Sequence, residues 1–139
     1  MAVVASFLVD KSASARLGHP AVAARLAPLM KRGLVATCSV IDLEVLFSAS
    51  SAADYRAIRD ERAAYELLPT EQPALDRAVD VQAALAERGE HRGASLPELI
   101  VAAVAERAGV TVMHYDSDYD LIASVTGQPV DWVVSRGSL

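Results

Sequence analysis

The stretch Ala2-Val3-Val4-Ala5-Ser6-Phe7-Leu8-Val9-Asp10-Lys11-Ser12 decides the fold class. Its apolar run is too short to cross a membrane, lacks a basic segment before it and ends in the charged pair Asp10 and Lys11, which makes it a poor export signal. An unbroken apolar run of this length reads as a buried strand over residues 3–9, with Asp10 at its carboxyl end.

Outward from that strand, further short runs rich in Val, Leu and Tyr predict strands at residues 34–37, 66–68, 110–115 and 131–134. Ala-rich stretches of helical period fill the intervals and predict helices at residues 20–31, 40–49, 53–64, 74–88, 96–108 and 120–125. Gly33, Gly89 and Gly109 each stand just past a helical stretch, where a left-handed residue closes the last turn, and Pro69, Pro73 and Pro129 punctuate connections. Strands alternating with helices are the sequence form of a mostly parallel sheet of four to five strands, covered on both faces. The expected class is therefore α/β, a three-layer α/β/α sandwich, with residues 1–139 as one domain. In open sheets of this kind ligands bind beyond the carboxyl ends of the strands, where the topology reverses, so acids at those ends matter most.

Composition narrows the chemistry. Hydrophobic residues make up 53% of 139 and charged residues 22%, as in a folded globular chain. The single cysteine, Cys38, cannot form an internal disulfide, and it reads as a small buried hydrophobe of a cytoplasmic protein. A net charge of −5 argues against holding a phosphate backbone by a cationic surface, so a nucleic-acid substrate would need positive charge from elsewhere. His19, His91 and His114 are isolated, with neither His-x-x-x-His spacing nor a Cys cluster for zinc. Gly-x-Ser-x-Gly, Walker and Gly-x-Gly-x-x-Gly patterns are absent, which leaves serine-hydrolase, P-loop and dinucleotide readings unsupported.

Acids remain. Asp10 either lines the crevice or merely ends its strand or helps cap the next helix, with Ser12 also well placed to cap a short helix there. Asp116 and Asp118 follow the fourth strand in His114-Tyr115-Asp116-Ser117-Asp118-Tyr119-Asp120; in extended chain they point the same way, whereas the plainer account makes Asp118 a helix cap. Glu44 sits among Val40, Leu43, Leu46 and Phe47 near the edge of the core. Glu98 is divided between the crevice and a capping box, because Ser95-Leu96-Pro97-Glu98 matches that motif. Two carboxylates about 4 Å apart repel by roughly 4 kcal/mol at an effective dielectric near 20, so converging acids require protons or cations. Mg²⁺ or Mn²⁺ would resolve the conflict and supply the positive charge that the composition lacks.

In order, Phe7-Leu8-Val9-Asp10-Lys11-Ser12-Ala13, Asp42-Leu43-Glu44-Val45-Leu46, Pro97-Glu98-Leu99-Ile100-Val101-Ala102-Ala103 and His114 through Ala123 resemble the blocks of PIN-domain ribonucleases, specifically VapC-type toxins of bacterial toxin–antitoxin pairs. The resemblance spans essentially the whole chain. It implies an endoribonuclease in which Asp10, Glu44, Glu98, Asp116 and Asp118 hold Mg²⁺ or Mn²⁺ and cut a structured RNA, tRNA or rRNA. It also implies a homodimer silenced by a cognate VapB antitoxin, whose Arg would suit a carboxylate cluster. Glu98 stands where the family usually has Asp, a reach longer by about 1 Å or more, and Lys11 replaces a common Thr. Lys11, Ser12, Arg16 and Arg92 are the candidates for RNA contact. The segment Asp10-Lys11-Ser12 also resembles the nucleophile loop of haloacid-dehalogenase-like phosphatases, although Ser12 stands where those enzymes need a second Asp. A third reading is a catalytically degenerate PIN module that only binds its antitoxin.

Overall fold

The computed structural model describes residues 2–139. Its elements, in chain order, are β1 (Phe7–Val9), α1 (Lys11–Ser14), α2 (Pro20–Lys31), β2 (Val35–Thr37), α3 (Ser39–Phe47), α4 (Ala52–Arg62), β3 (Glu66–Leu67), α5 (Gln72–Glu87), α6 (Leu96–Ala108), β4 (Thr111–His114), α7 (Asp118–Thr126) and β5 (Val130–Trp132). The five strands form one sheet in the order β3-β2-β1-β4-β5 with every pair parallel, so the first strand is the central one. β1 registers Phe7 and Leu8 against Val35 and Ala36 on one side, and Phe7 to Val9 against Thr111 to Met113 on the other.

Alternation along these short strands divides the core. Leu8, Ala36 and Val112 face a large cluster that takes in Ile41, Leu68, Val81, Leu85, Val104 and Ile122, the side covered by α3, α5, α6 and α7. Val9, Val35 and Met113 face a smaller cluster closed by Ala13 of α1 and by Val22 and Leu26 of α2. Helix α6 is buried nearly all round, from Leu99 to Ala105, which explains its unbroken apolar sequence.

Several boundaries differ from those read in the sequence. β1 begins at Phe7 rather than at residue 3: Val3 and Val4 are exposed, and the backbone N–H groups of Val4 and Ala5 donate to the Glu66 carboxylate instead of to a neighbouring strand. Of the two caps offered by the sequence for the helix after β1, the structure uses Asp10 rather than Ser12, because the Asp10 carboxylate reaches the Ser12 N–H in the first turn. α7 likewise starts behind Ser117 rather than Asp118.

The strand order places the reversal of topology between β1 and β4: the chain runs outward through β2 and β3, then returns to the far side of β1. The carboxyl ends of those two strands lead into Asp10 and Asp116. A parallel sheet brings them together because adjacent strands end on the same side.

Candidate active site

Asp10 leaves β1 in extended conformation and is buried, at 5% exposure. Its Oδ2 accepts from the Ser12 N–H at 3.0 Å and from Ser12 Oγ at 2.6 Å, while Oδ1 accepts from the Tyr119 hydroxyl at 2.8 Å. Ser12 Oγ in turn accepts from the Tyr115 N–H at 2.9 Å, tying the β1–α1 corner to the end of β4. Three donors compensate for the burial of the charge. Tyr119 has no exposed surface, and burial, with the Asp10 charge second, holds its phenol well above the ordinary range, so the hydroxyl remains a donor.

Glu98, Asp116 and Asp118 form the tightest group of acids: one ligand oxygen from each lies within 4.8 Å of the others. Glu98 Oε1 accepts from the Ser95 N–H at 2.9 Å while Ser95 Oγ accepts from the Glu98 N–H at 3.3 Å, a complete capping box. The cap and the acid cluster are thus compatible, because a carboxylate has two oxygens and the cap uses one. Burial, and next the neighbouring Asp116 carboxyl, push the Glu98 pKa up to about 8. Asp116 and Asp118 do not share an extended strand; the chain turns between them, and Asp116 Oδ1 accepts the Asp118 N–H at 2.9 Å. The Asp116 N–H donates to Nδ1 of buried His114 at 3.1 Å, which anchors this turn to the strand end. Asp120 lies apart, accepting from Trp132 Nε1 at 3.0 Å.

Asp10, Glu44, Glu98 and Asp116 line a cleft of about 360 Å³, with Lys11, Ser12, Arg16 and Ser95 on its walls. Glu44, half-buried on α3, has its pKa raised by burial and by the Asp10 charge, against the lowering effect of Lys11. Arg16 Nη1 donates to the Ser12 carbonyl at 2.6 Å, and the guanidinium lies 4.8 Å from the centre of the Tyr115 ring. Arg92 is exposed on the loop before α6 and is not among the residues lining the cleft. Asp42, close in sequence to Glu44, is turned elsewhere and accepts from Arg62 Nε at 2.6 Å and Thr37 Oγ1 at 2.8 Å. The sequence reading passed over Tyr119 and took His114 only as an isolated histidine. With Ile122, Tyr119 carries a helical apolar spacing that signals core, and nothing local shows that its hydroxyl meets Asp10 across 109 positions.

The donor set fits a hard divalent cation. Oxygens about 2.1 Å from one ion are about 3 Å apart when adjacent and about 4.2 Å when opposite, so the Glu98, Asp116 and Asp118 oxygens, within 4.8 Å, reach a common ion by modest side-chain rotation.

Residues 4–125 match the PIN domain family model. Over 133 residues the chain is 48% identical to ribonuclease VapC21 of Mycobacterium tuberculosis, covering 95% of this chain and 96% of that protein. The chain belongs to the PIN-domain family. A second relative within it, ribonuclease VapC51 of the same organism, is 39% identical over 133 residues and covers 96% of each chain. Among solved structures, the PIN fold is shared with a DNA-bound VapBC from Salmonella typhimurium, with a TM-score of 0.77 at 14% identity over 94% of this chain and 100% of that one. VapBC-5 of Mycobacterium tuberculosis, described as a member of the VapBC family of toxin–antitoxin systems, superposes with a TM-score of 0.58 at 25% identity over 70% of this chain and 81% of that one. PIN membership takes the haloacid-dehalogenase-like reading out of consideration, and the site agrees: Asp10, its supposed nucleophile, has both carboxylate oxygens engaged by Ser12 and Tyr119.

Proposed function

We propose that this PIN-domain protein is the metal-dependent endoribonuclease toxin of a toxin–antitoxin pair, with Glu98, Asp116 and Asp118 as its cation-binding acids. The observation that carries the reading is the convergence of those three carboxylates within 4.8 Å beside buried Asp10, at the sheet's reversal of topology. Kinship with the VapC ribonucleases supplies the substrate class, RNA.

When bound, Mg²⁺ or Mn²⁺ supplies positive charge for the scissile phosphate and lowers the pKa of water. The chain's own contribution is placement. Glu98, Asp116 and Asp118 hold the cation, Asp10 fixes the negative floor of the cleft, and Glu44 on the α3 wall takes up the proton of the attacking water. Water adds to phosphorus as one P–O ester bond breaks, and the leaving oxygen takes up a proton, returned by Glu44 or drawn from solvent. Lys11 and Arg16, on the cleft wall, meet the flanking phosphates, and Ser12 serves Asp10 first and RNA second. Arg92, exposed and outside the cleft lining, is assigned to RNA that extends beyond the cleft.

The same acids suit an Arg of a VapB-type antitoxin, since a guanidinium pairs with carboxylates bidentately. The pairing is supported by the VapBC complexes that share the fold, and a homodimeric assembly is proposed with it on the family resemblance alone. Incubation of wild type and Asp10→Asn with total RNA and Mg²⁺ or Mn²⁺, followed by mapping of new ends, tests the proposal. Cleavage should require the ion and fall by about 100-fold or more in Asp10→Asn. Equal cutting by both proteins sinks it, and tight antitoxin binding with no ion-dependent cutting by wild type favours the degenerate module.

A further inference from the structure

The structure assigns Tyr119 a positioning role: its hydroxyl, together with Ser12, clamps Asp10 in a single orientation beside the three cation-binding acids. The inference rests on the ribonuclease reading above and goes beyond it to a residue outside the acid set. Tyr119 has no exposed surface and Asp10 has 5%, so their 2.8 Å hydrogen bond faces no competition from water. The bond spans 109 positions, from the first turn of α7 to the end of β1. Helix α7 also begins with Asp118, so one element carries both a member of the acid trio and the donor that orients the acid beside it.

The geometry divides the labour between the two oxygens of Asp10. Ser12 Oγ and N–H take Oδ2, and Tyr119 takes Oδ1. With both oxygens held, the carboxylate has about one acceptor direction left for the cleft. A phenylalanine at position 119 would fill the same volume without that donor, and Asp10 could then rotate away from Oδ1's present position. The hydroxyl acts through Asp10 and touches neither RNA nor the cation-binding oxygens.

Tyr119→Phe is the deciding variant. Removal of an outer partner of this kind lowers turnover by about tenfold or more, while KM for RNA and the Mn²⁺ affinity measured by calorimetry stay within about twofold of wild type, because Lys11, Arg16 and the acid trio are untouched. A crystal structure of the metal-free variant should show the Asp10 carboxylate turned from its present orientation. Ser12→Ala, at a half-buried position, removes a donor from the other oxygen and should likewise lower turnover and turn the Asp10 carboxylate with Mn²⁺ affinity unmoved, KM being left out of this arm because Ser12 also meets RNA, which keeps the test available if Tyr119→Phe folds poorly. Turnover within about twofold of wild type, an unmoved Asp10, or Mn²⁺ affinity and KM that worsen in step with turnover would each overturn the assignment. A wild-type protein that cuts no RNA fails the ribonuclease reading instead, and the orientation of Asp10 in the metal-free variant still decides the clamp.

Discussion

Glu98 concentrates the tension between stability and chemistry in one side chain. It closes the capping box of α6 and also faces Asp116 and Asp118, and burial together with the Asp116 carboxyl raises its pKa from 4.5 to about 8. A folded-state pKa raised above the unfolded value stabilises the protein fully below the unfolded pKa, and that stability is lost as pH rises through the folded one. The melting temperature of the metal-free protein should therefore fall as pH is raised from about 5 to about 8 and level off above that window. Glu98→Gln should flatten the slope in thermal melts, and saturating Mn²⁺ should suppress it in wild type. A slope of the same size in Glu98→Gln would show that another group titrates. His114 belongs to the same neighbourhood, but burial lowers its pKa, so it stays neutral and its Nδ1 remains free to accept the Asp116 N–H.

Among the elements, α3 and α4 illustrate how a charged network differs from a surface pair. Arg62 closes α4 and donates to Asp42 Oδ1 of α3 at 2.6 Å and to Thr37 Oγ1 of β2 at 2.9 Å, with its side chain 10% exposed. Helix α4 contributes no buried residue to the core, so this network is a main tie between it and the sheet. Arg77 and Glu106, linking α5 to α6 at 2.7 Å, are more open to water, at 39% and 27% exposure. Solvent screens such a pair and weakens it. Arg62→Met should destabilise the protein by about 2–3 kcal/mol, since it leaves the part-buried Asp42 charge with Thr37 as its one side-chain partner, and Arg77→Met by less than about 1 kcal/mol. Urea unfolding of the two variants measures the difference; equal losses would mean that α4 is held by something other than its arginine. At the far end of α6, Gly109 takes a φ of 72°, a left-handed position that glycine fills without strain, as its place after a helical stretch predicted.

For the molecule as a whole, charge is the governing constraint. A chain of net charge −5 whose cleft is floored by carboxylates should repel RNA until divalent ions are present. Filter binding of a non-cleaved RNA to Asp10→Asn should accordingly be strong with Mn²⁺ and lost in EDTA, whereas tight binding in EDTA would move the RNA site away from the acids. The α/β/α sandwich and its acids at strand ends were legible because parallel sheets buried on both faces write apolar runs separated by helical periods, and the PIN resemblance placed Asp10, Glu44, Glu98, Asp116 and Asp118 within that pattern. Local sequence, however, sees only neighbours along the chain. It could not show that Val3 and Val4 stay outside the sheet, which of Asp10 and Ser12 caps α1, or that Asp116 and Asp118 meet through a turn. The last two are bonds between residues two apart that compete with equally local alternatives, while the first depends on a partner, Glu66, that arrives only when the chain has folded. The choice between cap and cluster at Glu98, and the Tyr119 hydroxyl on Asp10, were decided by tertiary structure for the same reason: each turns on which distant donor or acid reaches a particular oxygen.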